Sequence, residues 1–434
     1  MDIGKLNGIV AEGAALRRRQ VLQPVGGKGD KIFPPTYPGE GRNAPPRHVY
    51  ERRRLNGAEA WCVLVDSVQS QANRLEECLL AAIADGIPIP HVEVDFSAAG
   101  LEGISKITSL DAPHRVYDAI LRDSLYKGTP FMESDIGKRL AKAKAEDASA
   151  LLEISPTALL FGAWHSTGQG GGLGAKFARC LISEIFAVDV PVDTTSANTG
   201  RLRLDENGAE VTWRSGSNRV SGIEVITAGR RTGSRIDPLG VLRKVKVFKG
   251  EGGWSTTKEG AGKNAKEVKP SEINHGNIKP SVQPLGVTCD HIEHSFVLSF
   301  AALRRLRFGG AAKDAAGRSF LAALGLVALT EQDARGYALR SRCDLVCDGR
   351  AALELVRSDG STEAILIDRA QARALYQAAF DAAQKAGFSL SSEPLRLTPQ
   401  EKLVAIVKES QRLALEGKGD DQDEAGGDDS GSGN

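Results

Sequence analysis

Aromatic residues make up only 5% of this 434-residue chain, and methionine occurs twice. With 41% hydrophobic residues there is material for one sizeable core or two to three modest ones, built on Ala, Leu, Val and Ile. Six cysteines in this length do not form a secreted disulfide framework, and no C-x-x-C pair occurs. No stretch approaches the roughly 18 apolar residues a membrane-spanning helix needs. The opening MDIGKLNGIVAEGAALRRRQ has its arginines after a weakly apolar part that contains a Glu, the wrong order for a signal peptide. A cytoplasmic protein with reduced thiols and no membrane partner is expected. No G-x-x-x-x-G-K-[ST] phosphate loop occurs, and no serine sits in a G-x-S-x-G elbow.

Glycine, by contrast, is abundant at 48 residues, which implies much irregular backbone. The formal net charge of +1 hides an uneven distribution. Residues 417–434 carry Asp420, Asp421, Asp423, Glu424, Asp428 and Asp429 against Lys418, a net of −5 that leaves +6 on residues 1–416. A tail of Gly, Ser and Asp cannot offset its chain entropy and is expected to be disordered. The basic body permits a polyanionic partner.

Residues 1–60, rich in Pro, Gly and Arg, suggest an extended basic arm. WCVLVDS (61–67) reads as a buried strand running into a helix with Leu75, Cys78, Leu79 and Ile83 at helical spacing. HVEVDF (91–96) suggests another strand, and 112–125 and 134–151 have helical composition. RLRLDENGAEVTW and ALELVRSDGSTEAILI read as hairpins centred on Asn207-Gly208 and Asp359-Gly360. LRKVKVF (242–248) reads as a basic strand, and residues 249–285 then lose apolar periodicity, within a basic insertion over about 243–285. HIEHSFVLSFAALRRLRF (291–308) suggests strand-to-helix, and Thr398, Pro399 and Glu401 suggest a capping box that opens a final helix. The mixture is α+β, with residues 61–416 as the body.

FGAWHSTGQGGGLGAKFAR (161–179) is the most unusual segment. Gly170 to Ala175 fits G-x-G-x-x-[G/A] between an apolar run and the helix-like KFARCLISEIF, with Asp189 where a ribose-binding acid would stand. That leaves open a nucleotide-dependent enzyme with residues 168–175 as its phosphate loop. The other reading is a loop whose amides, His165, Ser166, Thr167, Lys176 and Arg179 grip a phosphodiester chain, with Phe161 and Trp164 anchoring its start in the core. Gln69, Gln71, Asn73 and Arg74 are neutral and cationic donors on one helical turn, and EINHGNIKP gathers Asn274, His275, Asn277 and Lys279 around a glycine. The arginine clusters 17–19, 52–54 and 304, 305, 307 suggest a phosphate track. Cys289, His291, His294, Cys343 and Cys347 lack zinc-ligand spacing, and no metal or cofactor is expected.

GGKGDKIFPPTY, CVLVDSVQSQANRLEECL, PTALLFGAWHSTGQGGGLGAKFARCLISEI and INHGNIKP resemble the backbone subunit of type I-G (formerly I-U) CRISPR effector complexes, across most of residues 25–380. The resemblance implies a RAMP-superfamily palm, a modified RNA-recognition-motif (ferredoxin-like) sheet with long insertions, one of them a thumb-like basic segment. It implies a non-catalytic subunit that polymerises along one CRISPR RNA and presents it to target DNA, beside further copies of itself, a large subunit and a guide-processing or capping subunit. The implied RNA contacts are Gln69, Gln71, Asn73 and Arg74; His165, Ser166, Thr167, Gly168, Gly170 and Lys176; and Asn274, His275, Asn277 and Lys279. The cations Lys28, Lys31 and Arg179 of the same motifs are counted with them. Related RAMP backbones that cut RNA with a loop carboxylate leave a ribonuclease as a further alternative. The aromatic signature of common RNA-recognition motifs is absent.

Overall fold

The computed structural model describes residues 1–38, 47–165, 176–191, 230–231, 238–239, 241–242, 244–273, 275, 282–283 and 285–415. The Asn207-Gly208 hairpin and the acidic tail lie outside them.

The chain opens with helix α1 (Ile3–Glu12) and strand β1 (Ala15–Pro24). The hairpin β2 (Tyr50–Leu55) and β3 (Ala58–Asp66) turns on Asn56 and Gly57, both with positive φ, and runs into α2 (Val68–Ala84). Next come β4 (Val92–Asp95), β5 (Lys106–Thr108), α3 (Ala119–Arg122), β6 (Ser124–Tyr126), β7 (Thr129–Pro130), α4 (Asp135–Ala141), α5 (Ser149–Ile154) and α6 (Thr157–Phe161). Two-residue strands β8 (Ala163–Trp164) and β9 (Lys176–Phe177) bracket the glycine-rich segment, and β10 (Leu181–Val188) follows. Then come β11 (Arg230–Arg231), β12 (Val247–Gly250), β13 (Gly253–Ser255), β14 (Lys266–Val268), β15 (Val282–Gln283) and β16 (His291–Ser299). The last third holds α7 (Phe300–Arg304), α8 (Ala311–Arg335), β17 (Tyr337–Arg340), β18 (Cys343–Cys347), β19 (Leu353–Val356), β20 (Thr362–Ile365), α9 (Arg369–Lys385), β21 (Leu395–Pro399) and α10 (Glu401–Leu415).

The architecture is α+β. Its centre is a curled antiparallel sheet of nine strands in the order β17-β18-β1-β16-β10-β3-β2, with β19 also pairing β1 and β20 pairing β19. A second sheet, β5-β4-β21-β6-β7, joins the middle of the chain to its end through the parallel pair β21/β4. Helix α8 is buried along most of its length and packs on the main sheet's inner face. A Cβ added at Gly325 would meet Leu181 Cδ1 at 3.2 Å and Leu298 Cδ2 at 3.5 Å, so glycine there permits the close approach. Helices α1, α2 and α9 surround α8.

Residues 1–24, expected as part of an extended arm, instead provide a packed helix and a central strand. Leu6 and Val10 of α1 are buried, and β1 pairs β16 from Ala15↔Ser299 to Leu22↔Ile292. Alternation explains this: Leu16, Arg18, Gln20 and Leu22 face inward while Arg17 and Arg19 face out. The run KFARCLISEIF, expected as helix, is the strand pair β9 and β10, with Leu181, Ser183, Ile185 and Ala187 turned to the core. The helices expected over 112–125 and 134–151 are shorter pieces, α3, α4 and α5. Pro399 ends β21, and α10 starts at Glu401 behind Gln400, whose carbonyl accepts from Val404 N; the expected Thr398 cap is not made. The basic insertion, expected to lack core, contains the three-stranded sheet β13-β12-β14 with Val247, Ala261 and Ala265 buried. The strands at 61–66 and 92–95, helix α2, the strand-to-helix passage at β16/α7 and the Asp359-Gly360 hairpin stand where the sequence placed them.

Candidate nucleic-acid interface

The glycine-rich segment is carried on a braced stem. Phe161 closes α6 in the core at 1% exposure, and Gly162 follows with φ +84°. A Cβ at Gly162 would meet Phe177 O and Arg179 Cγ, each at 3.1 Å. Arg115 Nη1 donates to the Gly162 carbonyl at 2.9 Å, while its Nε and Nη2 hold the buried Glu76 carboxylate at 2.8 and 2.7 Å. Burial pushes the Glu76 carboxyl up to about 7, against the pull of Arg115. Ala163↔Phe177 and Trp164↔Lys176 then pair antiparallel. His165 is buried and stacks on Tyr117, with centroids 4.7 Å apart and planes 8° from parallel. Burial, with Arg122 nearby, lowers its pKa, so His165 serves as a neutral brace rather than as an added cation. Trp164, expected in the core, is instead 52% exposed, and Lys176 Nζ lies 5.7 Å from its ring centroid. Lys176 and Arg179 are exposed on the downstream side. Ser166, Thr167, Gly168 and Gly170 lie outside the described residues.

This geometry removes the helix that a dinucleotide fingerprint requires after its glycines. The segment runs into β9 and β10, and β10 carries Asp189 away to the far end of the sheet. Lys176 and Arg179 therefore flank a strand pair and do not share the opening turn of a helix.

The α2 donors divide by direction. Gln69 and Asn73 are exposed. Gln71 is fully buried: its Nε2 donates to Asp66 Oδ2 at 2.6 Å, and its Oε1 accepts from Gln332 Nε2 at 3.1 Å and lies 3.0 Å from Ser183 Oγ. Arg74 Nε donates to Asp66 Oδ2 at 2.9 Å and its Nη2 to the Leu339 carbonyl at 2.6 Å. Arg340 and Ser70 complete the shell around Asp66. The chain of contacts continues from Ser183 to His294 Nε2 at 2.7 Å, from His294 Nδ1 to the Tyr337 hydroxyl at 3.1 Å, and from that hydroxyl to Asp333 Oδ1 at 2.8 Å. Asp333 also accepts from Arg18 Nη2 at 2.7 Å. This polar seam crosses the inner face of the sheet between two apolar clusters, one around Leu16, Leu181 and Leu298, the other around Leu22, Val63 and Ile292.

His294 has no exposure. Burial first, then the Arg18 guanidinium, push its pKa down to about 3, with Asp333 pulling the other way. The unfolded chain then binds the proton more readily between pH 6.5 and 3, so stability present above the ordinary pKa is lost as pH falls. The expected loss from this residue between pH 7.5 and 5 is about 2 kcal/mol. Urea unfolding at both pH values checks it: His294→Gln should lose about 2 kcal/mol less than the wild type on acidification. Equal losses would contradict the assignment.

At the other end of the sheet, Lys28 is exposed and pairs with Asp348 at 2.6 Å. Lys31 is half-buried, and its pKa is lowered by burial and then by Arg342. In register, Leu181 pairs Leu298 at one end and Val188 pairs His291 at the other. The glycine stem therefore precedes one end while the Lys28–Lys31 loop follows β1 at the opposite end, a strand length of about 25 Å away. His275 lies beyond, in the insertion, against Trp254. Asn274, Asn277 and Lys279 lie outside the described residues. Among the described residues, the expected RNA contacts do not form one cluster.

Nor do the arginine clusters form one track. Arg17 pairs Glu354, Arg18 pairs Asp333 and Arg19 pairs Glu293; Arg52 pairs Glu59, and Arg53 holds Glu51 and Glu184; Arg304 caps carbonyls of α1 and Arg307 pairs Asp314. Arg54 and Arg305 remain exposed without a carboxylate partner among the described residues. Sequence reasoning missed Arg115, Glu76, Tyr117 and Trp254. Among the described residues no group of His, Cys, Asp or Glu is arranged to hold a metal ion, and no helix is long and apolar enough to cross a membrane.

Residues 16–192 match the family model for CRISPR-associated protein GSU0053 (Cas_GSU0053). The match supports a CRISPR-associated protein with a part in CRISPR interference. It starts in β1 and ends just beyond β10, so it takes in the Lys28–Lys31 loop, α2, Asp66 with its Ser70, Gln71 and Arg74 partners, and the glycine-rich segment with its stem. No curated protein matches the chain.

Proposed function

We propose that this protein is a non-catalytic backbone subunit of a type I CRISPR interference complex, of the I-G kind, which holds the guide RNA by its phosphates and offers it for pairing with target DNA. The observation that carries this is the Cas_GSU0053 match over the region containing the braced glycine stem. An antiparallel sheet backed by helices on one face, with an insertion between β10 and β16, suits a RAMP-type palm and thumb. The other face carries Arg17, Arg19, Ile182 and Val297 outward. Cationic segments at both ends of the sheet suit an extended polyanion better than a compact ligand. Further copies along one guide, and the large and capping subunits, belong to the same reading.

Expression beside a CRISPR array tests it. The protein should purify with guide RNA and bind unrelated spacers within about threefold of one another, because phosphate contacts carry no sequence information. Three gripped phosphates give a slope of about −2 for log affinity against log salt, roughly 20-fold between 50 and 200 mM. Salt-independent binding, or strong discrimination among spacers, would contradict the proposal.

A further inference from the structure

The passage from α7 into α8 holds more positive charge than its ion pairs neutralise. Residues 300–330 carry Arg304, Arg305, Arg307, Lys313 and Arg318 against a single acid, Asp314. That acid is shared: Arg307 Nε holds its Oδ2 at 2.6 Å, and Arg318 Nη2 lies 3.6 Å from the same oxygen. Arg304 otherwise donates to the carbonyls of Val10 and Gly13, and Arg318 to those of Arg304 and Leu306. Carbonyls satisfy these donors without cancelling their charge. Burial, with Arg307 and Arg304 acting against the pull of Asp314, lowers the Arg318 pKa. Arg305 is exposed, and its guanidinium has no bonded partner among the described residues. The neighbouring segments add no net charge. Exposed Lys142, Lys144 and Arg179 stand there against exposed Glu12, Glu146 and Asp147, and none of these acids is bonded to the cluster.

The cluster adjoins the glycine stem. Cys180, next after Arg179, donates its N–H to the Leu160 carbonyl at 2.9 Å, and its own carbonyl accepts from Ser299 N at 2.8 Å. Ser299 caps α7, and Arg305 stands at the other end of that helix, about 9 Å along its axis. Burial pushes the Cys180 thiol up while the Arg305 guanidinium pulls it down, so the cation lies toward Cys180. A strand gripped at Lys176 and Arg179 therefore meets Arg305 next. Like charges held together without a counter-charge favour an anion, and guanidinium forks match phosphate oxygens. We propose that Arg305 and Arg307, backed by Arg304 and Arg318, bind backbone phosphates of the guide RNA where it leaves the glycine stem. The occupant is the guide because the cluster and the stem meet at the Cys180–Ser299 bond, so one strand spans both. The proposal rests on the nucleic-acid reading above. It adds a site outside residues 16–192, the part that matches the family model.

The full-length protein, stripped of nucleic acid at high salt, is titrated with guide RNA. Arg305→Ala should weaken binding about tenfold, the lower end for one charge-assisted contact, and flatten the salt slope by about 0.7. Arg305→Lys, which keeps a point charge, should stay within about threefold of wild type. Arg54→Ala removes an equally exposed cation from the β2/β3 hairpin, at the end of the sheet away from the stem, and should stay within about twofold. Equal losses in Arg305→Ala and Arg54→Ala would reduce the effect to overall charge and overturn the inference. Unchanged guide binding in Arg305→Ala would overturn it too. If the guide-loaded variant then loses only target DNA, the cluster belongs to DNA; if only its assembly size falls, the cluster belongs to a neighbouring copy. These outcomes leave the proposed function standing. A wild-type protein that binds no guide RNA overturns both.

Discussion

Asp66→Ala should cost about 2–4 kcal/mol of folding stability, measured by urea unfolding, because it strips the buried Gln71 amide and the half-buried Arg74 and Arg340 guanidinium groups of their shared acceptor. Asp66 has no exposure, and its two oxygens accept from Ser70, Gln71, Arg74 and Arg340 at 2.6 to 2.9 Å. Its removal strips Gln71 of one partner and leaves the Arg74 and Arg340 guanidinium groups facing each other. Each donor so orphaned bears its own desolvation cost. Asp66→Asn should fall between, since its amide keeps one acceptor oxygen but points an N–H at a donor. A loss under about 1 kcal/mol for the alanine variant would mean that water replaces the carboxylate and that the seam is not structural.

Reversing the two cations beside the glycine segment should abolish guide-RNA capture. In Lys176→Glu with Arg179→Glu, attraction to phosphate becomes repulsion at both positions. Both side chains are exposed, and the stem is held by contacts that neither supplies: the backbone pairing of β8 with β9, the Arg115 bond to Gly162, and His165 on Tyr117. The variant should therefore keep its unfolding midpoint while co-purified RNA falls at least tenfold, since each lost charge-assisted contact is worth about 1.5–3 kcal/mol. Circular dichroism and the absorbance ratio of the purified protein read the two effects separately. Normal RNA content in the double variant would move the grip away from this segment.

What the sequence revealed depended on where each residue's partners lie. Strand β3, helix α2 and the Asp359-Gly360 hairpin were legible because their periodicity and turn chemistry are local. The Asn56-Gly57 turn carried the same kind of signal between β2 and β3 and went unread beside the arginines. Strand β1 was hidden because two of its inward positions are Arg18 and Gln20, which only distant partners make tolerable: Asp333 for the first, Gly349 and Ala351 for the second. Strand β10 imitated a helix because both faces of its second half are covered, so Ile185, Phe186, Ala187 and Val188 are all buried and the alternation disappears. The site followed the same rule. Nothing near Gln71 or Arg74 shows that they turn inward, since their partners include Ser183, Gln332 and Leu339. The nearness of Arg305 to Arg179 existed only once β10 paired with β16 and Cys180 met Ser299.

The central placement of β1 also fixes a timetable for synthesis. Its partners β16, β18 and β19 all come late, and Ala15 meets Ser299 about 280 residues after it is made. At 5–20 residues per second, roughly 15 to 55 seconds pass between the emergence of β1 and that of its first neighbour. Throughout that interval Leu16 and Leu22 have no sheet to enter, and both edges of the strand present unpaired backbone groups. The nascent chain therefore carries an open strand for most of its translation. Arg17 and Arg19, charged and outward in the finished sheet, are also the residues that discourage this early strand from pairing with another chain.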